Sequence, residues 1–234
     1  MPSNKKLLQA AAGNAGESVY VDDVFSTYLY DGNSSTQTIT NGLDLSGEGG
    51  LVWTKNRTDA DPHILIDSRD TDQYLISNAT DASATNTAIN MLFNANGYSI
   101  NNSYGSMNYT GENYTSWTFR KAEKFFDVVT YTGTGSARTV SHNLGSVPAV
   151  MIIKRTSTSG SNWRVYHTSL GNGQALSLNT TDAAGATTSL WNSTTPTDSV
   201  FTLGDNGNVN QSGQSFVAYL FASDAGGFGD DGDE

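Results

Sequence analysis

The chain has 234 residues, 36% hydrophobic and 10% aromatic, with a formal net charge of −11 and no cysteine. That length allows one large domain or two of about 100–150 residues, and the aromatic content suits folded cores. The composition excludes disulfides and thiolate metal sites. It also lacks a basic patch for nucleic acid and any apolar run near the roughly 20 residues of a membrane helix.

Residues 4–12 have the pattern of about two helical turns. Ser3 or Asn4 would serve as N-cap, Ala10, Ala11 and Ala12 are good helix formers, and Gly13 is the stop. So short a helix is unstable alone, so the leader either docks on a partner or frays. Lys5-Lys6-Leu7-Leu8 superficially resembles the start of a signal peptide, but Gln9 interrupts the apolar stretch.

From about Phe25 the pattern is all-β, and it occurs twice. Tyr30, Gly32, Ser35, Thr38, Ile39 and Leu43 return 101 residues later as Tyr131, Gly133, Ser136, Thr139, Val140 and Leu144. Asn78-Ala79-Thr80-Asp81-Ala82 returns at the same offset as Asn179-Thr180-Thr181-Asp182-Ala183. Near the unit ends the offset is 102: Gly105, Met107, Asn108, Gly111, Tyr114, Trp117 and Phe119 match Gly207, Val209, Asn210, Gly213, Phe216, Tyr219 and Phe221. Matches spread over a whole unit mark a duplicated module.

Within each copy, compact β-branched and aromatic runs predict strands. Leu51-Val52-Trp53-Thr54-Lys55 corresponds to Val150-Met151-Ile152-Ile153-Lys154. Ile64-Leu65-Ile66 is paired with Val165-Tyr166-His167, and Tyr74-Leu75-Ile76 with Ala175-Leu176-Ser177. Each unit's last strand alternates cleanly: Thr115, Trp117 and Phe119 share one face, as do Val217, Tyr219 and Phe221, each strand following a glycine turn. About six to eight short strands in roughly 100 residues is the size of a β-sandwich. The expected organisation is a leader at 1–24, two β-sandwich-like repeats at 25–125 and 126–228, and an acidic tail or start of a further module at 229–234. Joined without a linker, the repeats are expected to form a semi-rigid rod.

Groups able to do chemistry are not shared between the copies. His63, His142 and His167 stand in no metal-ligand spacing, and Asn41 takes the place of His142 in the first copy, which marks a turn or surface position. Neither a serine elbow nor a phosphate-binding glycine loop occurs, and no carboxylate pair recurs. Asp59, Asp61, Asp67, Asp70 and Asp72 cluster in sequence, with Arg57 and Arg69 beside them. A solvated hairpin region explains that cluster better than a calcium loop, since no EF-hand spacing is present. Trp53 and Trp117 lie on strands opposite Ile152 and Tyr219 in the other copy and are expected in cores. Trp163 and Trp191, beside Asn162 and Asn192, are the candidates for surface or glycan contact. The expectation is therefore a non-enzyme without metal or cofactor.

Several segments resemble a family of large virion proteins of tailed, particularly marine, bacteriophages, built from tandem copies of a β-rich domain of unknown function. They are Asn4-Lys5-Lys6-Leu7-Leu8-Gln9-Ala10-Ala11-Ala12-Gly13, Tyr30-Asp31-Gly32-Asn33, Gly47-Glu48-Gly49-Gly50-Leu51-Val52-Trp53-Thr54-Lys55 and Trp117-Thr118-Phe119-Arg120-Lys121-Ala122. Phe125-Phe126-Asp127-Val128-Val129-Thr130-Tyr131 and His142-Asn143-Leu144-Gly145-Ser146-Val147-Pro148 complete the set. The resemblance implies a homotrimeric tail fibre or related appendage. Its leader, through Lys5, Lys6, Leu7 and Leu8, would fix it to the tail or an adaptor protein, and its distal parts would meet host glycans. It further implies that the acidic end leads into additional modules. A head fibre or capsid decoration protein is the nearest alternative, and a glycan-binding module of its own is the second.

Overall fold

The computed structural model describes residues 19–85, 89–100 and 104–223. The leader expectations, with Lys5, Lys6, Leu7 and Leu8, and the tail at 229–234 lie outside the described residues. The described chain is all-β, with one 3-10 turn at Val21–Asp23 and two four-residue helices, Gly105–Asn108 and Gly207–Asn210.

Nine strands come first: β1 (Phe25–Asp31), β2 (Gln37–Ile39), β3 (Gly50–Asn56), β4 (Ile64–Asp67), β5 (Gln73–Ile76), β6 (Ala84–Thr85), β7 (Met91–Asn94), β8 (Gly97–Ile100) and β9 (Asn113–Arg120). Eight follow: β10 (Phe126–Thr132), β11 (Arg138–Ser141), β12 (Pro148–Arg155), β13 (Arg164–His167), β14 (Gln174–Ser177), β15 (Gly185–Ala186), β16 (Val200–Leu203) and β17 (Ser215–Ala222). Each half builds one six-stranded sheet, in the orders β1-β9-β3-β4-β5-β6 and β10-β17-β12-β13-β14-β15. These are the same order, strand for strand. A smaller sheet accompanies each: β2-β8-β7 in the first half and β11-β16 in the second, where β7 has no counterpart.

The duplication is also a duplication of latches. Tyr30 Oη donates to the Met107 carbonyl at 2.8 Å, and Tyr131 Oη to the Val209 carbonyl at 2.7 Å. Each tyrosine stacks on the first aromatic of its half's last strand, Tyr114 or Phe216, with ring centroids 5.2 Å apart in both pairs. Asn108 and Asn210, both fully buried, donate to the Ser35 and Ser136 carbonyls at 2.7 Å. Gly32 and Gly133 are required by the same closeness. A Cβ at Gly133 would lie 2.2 Å from the Gln211 carbonyl oxygen, and one at Gly32 would lie 2.1 Å from that of Tyr109. Gly133→Ala is therefore expected to destabilise by about 1–3 kcal/mol through overpacking. A urea-unfolding midpoint unchanged from that of the parent would contradict this.

Strand pairing corrects the alignment of the two copies at one place. Thr54 pairs with Ile64 and Ile153 with Arg164, so β4 and β13 correspond at an offset of 100, not 101. Ile64, Leu65 and Ile66 are thus equivalent to Arg164, Val165 and Tyr166. A one-residue slip exchanges the two faces of a strand. The offset of 100 keeps Leu65 and Val165 on one face and places Ile66 with Tyr166 on the other.

Three buried clusters fill the fold. One contains Tyr30, Val52, Ile66, Tyr98 and Tyr114 of the first half, and a second contains Tyr131, Met151, Tyr166, Trp191 and Phe216 of the second half. The third crosses between halves: Leu51, Leu65 and Leu75 meet Phe126, Trp163, Val217 and Tyr219. The two large sheets therefore face one another. Alternation on β9 and β17 had placed Trp117, Phe119, Val217 and Tyr219 on matching faces, and that is the face turned toward the other half. The Phe119 ring lies 5.5 Å from Phe126 and 5.3 Å from Phe221.

Candidate functional site

The contact between the halves uses equivalent faces unequally. On the second half's face, Trp163 is fully buried, and its Nε1 donates to the carbonyls of Ile76 at 3.0 Å and Ala79 at 3.1 Å. Lys154 Nζ donates to the carbonyls of Thr80 at 3.0 Å and Ser161 at 2.7 Å. Backbone bonds extend this seam: Gly160 N to Thr80 O at 2.9 Å and Ser83 N to Thr156 O at 2.9 Å. Loop 76–83 of the first half thus lies across Trp163 and Lys154 and satisfies donors that burial would otherwise orphan.

The first half's face carries the same framework with a different outcome. Lys55 is the counterpart of Lys154, and His63 takes the place of Trp163. The register is secured by a shared device: Asn78 Oδ1 accepts from His63 N at 3.0 Å, and Asn179 Oδ1 from Trp163 N at 2.9 Å. Here no described residue covers the pair. Trp53, Lys55, His63, Trp117 and Phe119 line an open cleft of about 320 Å³. Trp53 and Trp117 are cross-strand partners with rings edge-to-face at 6.0 Å. The Trp53 indole N–H is buried and has no partner among the described residues. Burial, then the nearby Lys55 ammonium, lowers the His63 pKa and so favours the neutral imidazole.

The tryptophans are the reverse of the sequence expectation. Trp163 and Trp191 are both fully buried and offer no ring face to a glycan. Trp191 Nε1 donates to the Gln174 carbonyl at 3.0 Å, and its ring meets Tyr166 edge-on at 5.8 Å. Trp53 and Trp117, expected in cores, are only partly buried and form the cleft wall. Polar sequence neighbours misled in the first case, because Asn162 and Asn192 turn away from rings that point inward. The counterpart comparison failed in the second, because Trp53 and its aliphatic equivalent Ile152 are both only partly buried at the edge of the cluster between the halves.

His142 is a turn residue, as the exchange with Asn41 suggested. Its Nδ1 accepts from Leu144 N at 3.2 Å, as Asn41 Oδ1 accepts from Leu43 N at 3.2 Å. It is buried, however, and desolvation lowers its pKa, which suits the neutral ring needed to accept that bond. His167 Nδ1 accepts from Ser169 N at 3.1 Å. Four of the five carboxylates, Asp61, Asp67, Asp70 and Asp72, disperse to separate tasks. Asp61 holds Asn56 at 2.8 Å, Asp70 accepts from Asp72 N at 3.0 Å, and Asp72 holds Asn90 at 2.8 Å. Among the described residues no group of three or more His, Asp or Glu side chains could hold a metal ion.

Asp67 is the buried one of these four, and sequence spacing gave no sign of it. It is fully buried, bonded by Arg69 Nε at 2.8 and 3.0 Å and by Tyr219 Oη of the other half at 2.5 Å. Lys154 is a second fully buried ionisable side chain among the described residues. Desolvation, then Arg155, lowers its pKa to about 8. An unfolded lysine holds its proton to about 10.4. Between those values the unfolded chain binds more protons, so this residue's contribution makes the fold more stable as pH rises. Lys154→Met is expected to remove that rise between pH 7 and 9.5, read as the difference in urea midpoint from the parent. Equal pH slopes in both proteins would contradict it.

Among the described residues no helix is long and apolar enough to cross a membrane. No curated protein matches the sequence. A family model described as "Domain of unknown function (DUF7483)" matches residues 21–232, nearly the whole chain, which therefore belongs to that family.

Proposed function

We propose that this DUF7483 chain is a structural protein of a tailed-phage particle. Two tandem β-sandwich-like domains, 25–125 and 126–228, would act as a homotrimeric spacer in a tail fibre or related appendage. The leader, through Lys5, Lys6, Leu7 and Leu8, would bind the tail or an adaptor, and the repeats would carry host-contacting parts away from the particle. One observation carries the spacer reading. The copies share sheet order, tyrosine and asparagine latches and close-approach glycines, while His63, His142, His167 and Trp191 are unshared. Duplication has kept a shape rather than a site, which suits a load-bearing role over catalysis. The phage assignment is supported by the resemblance of the segments around Tyr30, Trp53, Trp117 and His142. Loss of Trp163 and Trp191 to the interior removes the residues on which an intrinsic glycan-binding reading stood.

The test is localisation. Antibodies against residues 25–228 should label a tail appendage in purified particles of a phage encoding this chain. Labelling confined to the capsid would favour the head-fibre alternative, and absence from the particle would overturn the reading.

A further inference from the structure

The joint inside the chain leaves one half of each surface unused. The second half's face is covered by the first half's loop 76–83, but the first half's face ends in the open cleft. The second half's own loop 178–184 is equally uncovered, with Leu178, Thr181, Asp182 and Ala183 exposed. That loop repeats the covered one in sequence: Asn179-Thr180-Thr181-Asp182-Ala183 stands for Asn78-Ala79-Thr80-Asp81-Ala82. Its fold repeats too, since Thr180 N bonds the Ser177 carbonyl at 3.3 Å as Ala79 N bonds that of Ile76 at 3.4 Å.

We propose that the cleft of Trp53, Lys55, His63, Trp117 and Phe119 receives loop 178–184 of a second copy of this chain. Copies would then associate through a repeat of the contact that already joins the halves within each chain. This deepens the multimer part of the proposed function and rests on it. The complementarity is specific. Lys154 reaches a carbonyl of the covered loop and lies close enough to Asp81 for that carboxylate to favour its charged form. Lys55, whose ammonium bonds the Asn56 and Asp59 carbonyls in the isolated chain, would turn to Asp182 likewise, and none of the five cleft residues is acidic. Phe119 belongs to both the cleft and the apolar seam between the halves, so the new contact would continue an existing interface. Cleft and loop are different surfaces, so the association is heterologous and either closes into a ring or propagates.

The absence of cysteine gives a direct test. Full-length His63→Cys and Thr180→Cys proteins, distinguished by a mass tag, are mixed with oxidised glutathione. Their heterodisulfide should form about ten-fold faster than that between His63→Cys and Val147→Cys, an exposed position remote from the loop in sequence. Lys55→Cys with Asp182→Cys is a second pair that leaves His63 intact and should behave alike. Rates equal to the Val147→Cys control in both pairs overturn the docking site. Light scattering of the unaltered chain separates the two claims. A multimer with control-level rates overturns only the docking site, while a monomer at every concentration overturns the multimer reading with it.

Discussion

Trp163→Ala is expected to cost about 3–5 kcal/mol and to divide one unfolding transition into two. The first figure follows from size and burial alone. The second follows from position, because Trp163 belongs to the cluster spanning the two sheets. Truncation opens a void against Tyr219, whose ring is stacked on the indole at 6.3 Å. It takes a side-chain donor from the Ile76 and Ala79 carbonyls. It also removes the ring over which the Lys154 ammonium sits at 6.0 Å. Trp191→Ala is the control. That residue is buried to the same degree, but in the second half's own cluster. It should lose comparable stability without decoupling the halves. Trp163→Phe keeps most of the apolar contact and should lose only about 1–2 kcal/mol with the hydrogen bonds. Urea unfolding followed by fluorescence and circular dichroism reads all three. A single coincident transition in Trp163→Ala, at the midpoint of Trp191→Ala, would show that the seam couples nothing.

The sequence disclosed the repeated part of this architecture because repetition is a one-dimensional signal. Strand alternation on β9 and β17 and their glycine turns could be read because period 2 and positive-φ glycine are local facts. Gly111 and Gly213, at φ +91° and +73°, illustrate the second. What one sheet does to another is not local. Asp67 belongs to a run of aspartates that looks solvated, yet Tyr219, 152 residues away, fixes its role. Trp163 has polar neighbours and reads as a loop residue until loop 76–83 is laid over it. The slip from 101 to 100 at β4 was invisible for a related reason. Each alignment sets two of the three residues against apolar or aromatic partners and one against a basic residue, His167 or Arg164, and only the pairing partner decides between them. The cleft shows a divergence, His63 against Trp163, beside the unchanged lysine of Lys55 and Lys154, and it emerges only once pairing sets the offset of 100.

Asp67→Ala is expected to destabilise by about 3–5 kcal/mol, because it strands a charge. Arg69 would keep its guanidinium largely enclosed with its carboxylate gone, and the Tyr219 hydroxyl would lose its acceptor. Burial first, and the Asp67 carboxylate after it, hold the Tyr219 pKa well above its ordinary value, so the hydroxyl stays a neutral donor at physiological pH. Tyr219→Phe removes one hydrogen bond to a charged group and should cost about 1.5–3 kcal/mol. The informative quantity is the coupling between these changes. If the pair joins the halves as the geometry requires, Asp67→Asn and Tyr219→Phe together should fall short of their sum by about 0.5–3 kcal/mol. Strict additivity in a double-mutant cycle would mean that the 2.5 Å contact carries no energy. The second half offers an internal comparison. His167 occupies the position equivalent to Asp67, and its ring accepts from Ser169 two residues on. His167→Ala should therefore change stability far less than Asp67→Ala, although both residues end the same strand of the repeat. A large loss at His167 would show that the energy belongs to the end of that strand. A small one assigns it to the joint, which the sequence of either copy alone does not encode.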